Sequence, residues 1–201
     1  NFISKATSKS RAEKSSLDPF ALISRIKQQG PAPVHLWDPP FCGEMDILIT
    51  KDGTWIHEDR PIRRQAMVRL FANILRLDDD HEYYLVTPVE KVRIKVEDCP
   101  FVVTQMERCG VGEEQVITFT TNTEERFTVD QQHCITVETD INGENPHPIV
   151  HVRNGLDALI GRSVFYRLVD LCEEHTNQKE TFLGVWSNYQ FFRLGNQEAQ
   201  S

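Results

Sequence analysis

The order strand, turn, strand or loop, helix, strand, strand can be read twice along this chain. Displaced by 98 residues, Ile62 falls on Ile160, Arg64 on Arg162, Arg69 on Arg167 and Leu70 on Leu168, and without a gap Glu82 falls on Glu180 and Leu85 on Leu183. The turn glycines Gly53 and Gly155 match after a four-residue shortening of the loop. We read this self-similarity as a duplication. Two such units with extra strands between them predict an α+β protein of segregated helices and mostly antiparallel sheet. The regular strand-helix alternation of a doubly wound fold is missing.

In the first unit a strand over 45–50 leads to the turn Lys51-Asp52-Gly53 and a return strand over 54–57. A helix then opens at Pro61, with Met67, Leu70, Phe71, Ile74 and Leu75 on one face, and the run 78–80 closes it. The stretch 83–101, YYLVTPVEKVRIKVEDCPF, reads as a hairpin. Val92, Ile94 and Val96 alternate with Arg93 and Lys95, as in a strand with one buried face. Short strands follow over 102–106, 115–120, 126–129 and 134–138, and 140–148 is the linker candidate. The second unit has a strand over 149–152, a turn at Arg153-Asn154-Gly155, a helix over 160–171, and strands over 181–185 and 191–194. The expected organisation is a basic tail (1–16), a helix (17–30) capped by Asp18 and Pro19, a first half (31–100), additional strands (101–140) and a second half (141–201).

The chain has 201 residues and a formal charge of −8, which argues against a general nucleic-acid binder. No apolar run approaches the roughly 18 residues of a membrane span. The first residues lack the apolar core of a signal peptide, and the chain begins at Asn1 rather than Met. Its five cysteines are scattered and odd in number, which fits reduced thiols in a cytoplasmic protein.

The familiar catalytic patterns fail. Asp52-Gly53-Thr54 invites comparison with an aspartyl-phosphatase loop, but that chemistry needs a carboxylate two residues before Asp52, where Thr50 stands. His147 and His151 flank a strand, and adjacent His133 and Cys134 would point to opposite faces, so no set has zinc-ligand spacing and neither metal nor cofactor is expected. No G-x-S-x-G, phosphate-binding or dinucleotide loop is present. The expectation is a binding protein rather than an enzyme, with a hydrolase using Glu90 or Asp98 as base the weakest alternative.

Three polar groups stand out. Glu90 and Lys91, in the turn of the hairpin, set an acid beside a base; the plain alternative is a surface pair worth ~0–1 kcal/mol. Thr121 and Asn122, in the run 120–123, offer hydroxyl and amide groups at a strand end, or an ordinary turn. The arginines Arg64, Arg69, Arg153, Arg162 and Arg167 suit phosphate or carboxylate, or simply solvate helix faces. Trp37, Phe41 and Trp186 lie outside the periodic core pattern, where they would stack on a base, anchor a partner or cap the sheet ends.

Taken together, HLWDPPFCGEMDILI, DGTWIHEDRPIRRQAMVRLF, YYLVTPVEKVRIKVEDCPF, TFTTNT, VRNGLDALIGR and GVWS resemble the bacterial family catalogued as domain of unknown function 1285, over about residues 33–194. The family pattern would place His-Pro where this chain has His133-Cys134. The resemblance implies no established activity. It does imply a duplicated α+β core, a C-terminal half superficially like a pleckstrin-homology fold, and a cleft between the halves suggested for a nucleotide-like ligand in signalling. The resulting expectation is a cytoplasmic ligand-binding module with its site between the halves. Glu90 and Lys91 would orient a nucleotide-like or other anionic ligand, Thr121 and Asn122 would hydrogen-bond it, Arg64 or Arg153 would meet a phosphate, and Trp37 would stack. The alternative is a protein-interaction module working through an edge strand or an exposed Trp patch.

Overall fold

The computed structural model describes residues 31–139, 145–177 and 180–196. The expected tail and first helix, and most of the linker candidate, lie outside them. Among the described residues the chain is mostly sheet, with two α-helices. The N-terminal half contains β1 (Phe41–Ile49), β2 (Trp55–His57), β3 (Arg60–Pro61), helix α1 (Gln65–Asn73), β4 (Leu75–Leu77), β5 (Tyr83–Val86) and β6 (Lys91–Val96). Its strands form one sheet in the order β3-β2-β1-β6-β5-β4, antiparallel except for the parallel pair of β1 with β6.

The second half begins with β7 (Phe101–Cys109), β8 (Val116–Thr121), β9 (Arg126–Thr128), β10 (Ile135–Thr139), β11 (Pro146–Arg153) and β12 (Leu156–Ile160). These make a sheet in the order β10-β11-β12-β7-β8-β9, again with one parallel pair, β12 with β7. Helix α2 (Arg162–Val169) follows, then a three-stranded sheet of β13 (Glu173–Asn177), β14 (Glu180–Ser187) and β15 (Gln190–Asn196).

Alternation explains the burial. Val92 and Ile94 of β6 face inward, as do Ile117, Phe119 and Thr121 of β8 and Leu156, Ala158 and Ile160 of β12. Helix α1 buries Val68, Phe71 and Ala72, and α2 buries Val164 and Leu168. One contiguous apolar cluster joins both halves, from Ala32 and Val34 through Phe101 to Phe192 and Leu194.

The displacement of 98 residues carries Leu75–Leu77 onto the start of β13, Tyr83–Val86 into β14 and most of Lys91–Val96 into β15. The pairings differ: the strands of the first half form one sheet, whereas those of the second are split into a six-stranded and a three-stranded sheet. β6 bonds to β1 directly, whereas β10 lies beside β15 in the second half without bonding to it.

Several boundaries depart from the sequence reading. Pro61 does not open the helix; it ends an edge strand, with Ile56 opposite Pro61, where a residue lacking an N–H costs little. Helix α1 starts four residues later, after Arg64, and Ile74 caps it. Leu75 therefore belongs to a strand, and 78–80 is a strand-to-strand loop rather than a helix end. Residues 146–148 of the linker candidate are the first residues of β11, and β13 was not anticipated.

Candidate functional site

Arg153 ends β11 and reaches into the other half. Its Nε donates to both Glu125 oxygens at 3.0 and 3.2 Å, and its Nη2 donates to the Ala72 carbonyl at 2.8 Å, near the end of α1. The guanidinium also lies 5.5 Å from the centroid of the Phe101 ring. Asn122 is a second tie. Its Nδ2 donates to the Gly53 carbonyl at 2.9 Å, its Oδ1 accepts the Val102 amide at 3.0 Å, and its own carbonyl accepts from Gln65 Nε2 at 2.6 Å. Arg69 pairs with Glu124 alongside. Thr121 is buried; its hydroxyl meets Thr123 Oγ1 at 2.9 Å and accepts the Glu125 amide at 3.1 Å. Thr121 thus organises a turn, while Asn122 and Arg153 bind groups across the seam. Arg64 stands exposed before α1, where its carbonyl accepts the Met67 and Val68 amides at 2.9 and 3.2 Å.

Two expected residues meet elsewhere. Trp37 and Lys91 line a cleft of about 540 Å³ with His35, Asp38, Arg76, Leu77 and the acidic run 78–80. Arg76 and Asp78 bring the two together. Arg76 of β4 donates through Nη1 to the carbonyls of Val34 and Trp37 at 2.9 and 2.7 Å, and so holds the 3-10 turn Val34–Leu36 and the backbone of the tryptophan after it. Lys91, the first residue of β6, pairs through Nζ with Asp78 Oδ2 at 2.6 Å and lies 4.5 Å over the Tyr84 ring. Arg76 also bonds Asp78, through Nε and, at 3.1 Å, through Nη2. Burial pushes the Asp78 carboxyl up, but hydrogen bonds and charge from Arg76 and Lys91 outweigh it and hold the group below its ordinary value. Tyr84 donates its hydroxyl to Asp80 at 2.7 Å; that bond, with burial behind it, pushes the phenol up to about 12.

The cleft therefore has a neutralised floor. Its two cations share Asp78, while Asp38, Asp79 and Asp80 add negative charge at the rim. Half-buried Glu90 closes the neighbouring turn, its carbonyl accepting the Thr87 amide at 2.9 Å. Arg76 and Asp78 were not singled out from sequence, although Leu75-Arg76-Leu77 carries the alternation of a short strand with its arginine aimed away from the two leucines.

A larger groove, about 820 Å³, separates the free edges of β10 and β15, with Thr136, Phe191 and Arg193 among its walls. A third cluster gathers metal-binding types: Asp98, Cys99 and His147 bring their donor atoms within 4.8 Å of one another.

Comparison with known proteins gives the chain a family. Residues 32–99 match the family model described as domain of unknown function (DUF1285), N-terminal domain, and residues 100–194 the model described as protein of unknown function (DUF1285), C-terminal domain. The chain belongs to the DUF1285 family. The break between the models falls at Cys99 and Pro100, between β6 and β7. The crystal structure of a DUF1285 family protein from Silicibacter pomeroyi DSS-3, at 2.50 Å resolution, is 46% identical, with a TM-score of 0.83 over 91% of this chain and 97% of that one. A second DUF1285 family protein, from Shewanella baltica OS155 at 1.40 Å, is 26% identical, with a TM-score of 0.50 over 62% of this chain and 91% of that one. No curated protein matches significantly. No helix among the described residues is long and apolar enough to cross a membrane.

Proposed function

We propose that this DUF1285 protein is a ligand-binding module, and that its site is the cleft bounded by Trp37, Asp78 and Lys91. One observation supports the reading above others: Arg76 holds Trp37 by its backbone carbonyl and Asp78 by its carboxylate, so a flat apolar face and a charged floor are presented as one prearranged surface. Binding rather than catalysis is the reading, since the amine of Lys91 and the carboxylate of Asp78 are already tied to each other and to Arg76. The cytoplasmic setting, the signalling role, the duplication and the pleckstrin-homology likeness of the second half belong to the same proposal.

The charge distribution refines the ligand. A nucleotide phosphate would meet two cations already turned to Asp78, and the carboxylates of Asp38, Asp79 and Asp80 would repel it. A planar group against Trp37 carrying a cationic or hydrogen-bond-donating substituent fits better. Arg153, whose guanidinium is held by Glu125 and Ala72, does not restore an anion site at the seam.

A thermal-shift screen that runs nucleotides, nucleosides and cationic metabolites side by side tests this. A ligand at 100 times its Kd adds about 2.7 kcal/mol of stability. The expected result is a shift with cationic or neutral planar compounds that disappears in Trp37→Ala. Shifts confined to nucleotides, or unaffected by Trp37→Ala, would remove the cleft as the site.

The protein-interaction reading has its own support in the groove between β10 and β15, where two unpaired edges face each other. An extended segment of another chain would add to one of these edges. If Thr136→Lys and Arg193→Glu abolish capture of a protein partner while every small molecule leaves the melting temperature unchanged, that reading replaces the first.

A further inference from the structure

Cys99 and Asp98 occupy the turn between β6 and β7, and His147 is the second residue of β11, so the cluster they form joins the two halves of the molecule. His147 Nε2 lies 3.0 Å from each Asp98 oxygen, and Cys99 Sγ lies 3.6 Å from Asp98 Oδ1. Donor atoms on a tetrahedral zinc centre stand about 3.3–3.8 Å apart, given bonds of roughly 2.0–2.3 Å. Modest side-chain adjustment reaches that spacing. Cys99 closes the inner side of the cluster at 7% exposure, while the side chains of His147 and Asp98 remain 37% and 30% exposed. The outer side is therefore open to a further ligand.

The far nitrogen of the imidazole adds an independent observation. Glu138 sits directly opposite His147 in the β10–β11 register, and its Oε2 lies 4.0 Å from His147 Nδ1. Without a metal, Nε2 donates to the Asp98 carboxylate; an ion would take that proton's place, with Glu138 then facing the Nδ1–H. The same outer carboxylate recurs behind metal-bound histidines, where it fixes tautomer and ring orientation.

We propose that Asp98, Cys99 and His147 form a three-ligand site for a borderline-soft divalent metal ion of the zinc class, with a fourth position open to water or to a ligand. Sulfur, nitrogen and oxygen donors together suit Zn²⁺, whereas Ca²⁺ and Mg²⁺ require oxygen shells. Without a metal, burial and the neighbouring Asp98 carboxylate keep the thiol protonated, its pKa pushed up to about 12. A dication reverses that balance and makes the thiolate the stable form. Ligands at 98, 99 and 147 follow no sequence spacing, because strand β11 delivers the histidine.

Co²⁺ titration of the full chain, stripped of metal with a chelator, tests the proposal. One equivalent should bind at neutral pH, with thiolate-to-cobalt charge-transfer absorption and the strong d–d bands of four-coordinate cobalt. Cys99→Ser and His147→Gln should lose the charge-transfer band and the four-coordinate spectrum respectively, while Cys134→Ser, an exposed thiol, keeps both. Zn²⁺ at one equivalent should raise the melting temperature of the unaltered chain but of neither ligand variant. His147 is half-exposed, so His147→Gln supplies the result if Cys99→Ser does not fold. No charge-transfer band, a band that survives Cys99→Ser, a four-coordinate spectrum that survives His147→Gln, or a spectrum lost in Cys134→Ser would each overturn the assignment.

Discussion

Asn122 donates through Nδ2 to the carbonyl oxygen of Gly53 at 2.9 Å, and this one bond joins the turn after β1 to the C-terminal half. The approach is close enough to dictate the glycine. Gly53 has φ +83, and a Cβ there would stand 2.5 Å from Asn122 Nδ2 and 3.0 Å from Val102 Cγ2. Gly53→Ala should cost more than about 2 kcal/mol, combining left-handed backbone strain with displacement of the amide. Asn122→Ala should cost about 1–3 kcal/mol, because the Gly53 carbonyl and the Val102 amide lose their partner. Both substitutions act on the same contact, so in urea unfolding the double variant should fall short of the summed costs by at least ~0.5 kcal/mol. Strict additivity would show that the seam does not depend on this contact.

Arg153 makes a second prediction about the seam. Its side chain is 12% exposed and that of Glu125 24%, so solvent screens the pair only in part. Arg153→Ala leaves Glu125 and the Ala72 carbonyl unsatisfied and should cost about 2–3 kcal/mol. Arg153→Lys should recover less than half of that, since an ammonium cannot span the carboxylate and the helix end as a guanidinium fork does. Chemical denaturation measures both. An Arg153→Ala protein as stable as the parent would instead assign this arginine to a ligand.

The sequence was legible where local chemistry decides. The alternation of Val92 and Ile94 located β6, Asn154-Gly155 located a hairpin with positive φ at both residues, and Gly53 located the turn after β1. It misled where tertiary pairing decides. Glu58 and Asp59 adopt φ of 48° and 60°, the two positive values of a tight hairpin turn, without the Asn-Gly signature that announces one. Pro61 consequently looked like a helix start. Leu75 satisfied the helical stripe and the strand equally well, because it is fully buried in either role. At the site, Trp37 and Lys91 were chosen separately. What assembles them is an arginine bonding to backbone carbonyls 42 and 39 residues away, and backbone acceptors leave no residue-type signal.

Asp78 gives a pH-dependent test of the cleft. Its carboxylate accepts from both Arg76 and Lys91, and its native pKa lies below the ordinary value. A lowered native pKa stabilises the fold above the unfolded pKa, roughly 3.9, and the contribution disappears as pH falls through the lower native value. Asp78→Asn should therefore cost stability near neutral pH, by about 1–2 kcal/mol for a pair only partly screened. The gap between parent and variant should narrow as urea curves are repeated at decreasing pH below 4. Lys91→Ala should cost about 1 kcal/mol, less than Asp78→Asn, since Arg76 still holds the carboxylate. A gap that stays constant with pH would mean that Asp78 acts through packing rather than charge.

Tyr84 behaves in the opposite sense on the alkaline side. Its hydroxyl donates to Asp80, and that bond, burial and the carboxylate's charge raise the phenol to about 12. The native state thus holds this proton more tightly than the unfolded chain, whose tyrosines ionise near ~10. The stabilisation is complete below pH ~10 and declines as pH rises toward the native value, because only the unfolded state gains by ionising. Tyr84→Phe removes the hydroxyl without emptying the ring's place beneath Lys91 or its edge contact with Phe41. The variant should be less stable than the parent near neutral pH, because the hydrogen bond to a charged acceptor is lost. The two denaturation midpoints should then converge across the range from pH 9 toward 11. Convergence would locate the bond in the folded state's proton balance. Parallel curves would show that the Tyr84–Asp80 bond contributes nothing to it.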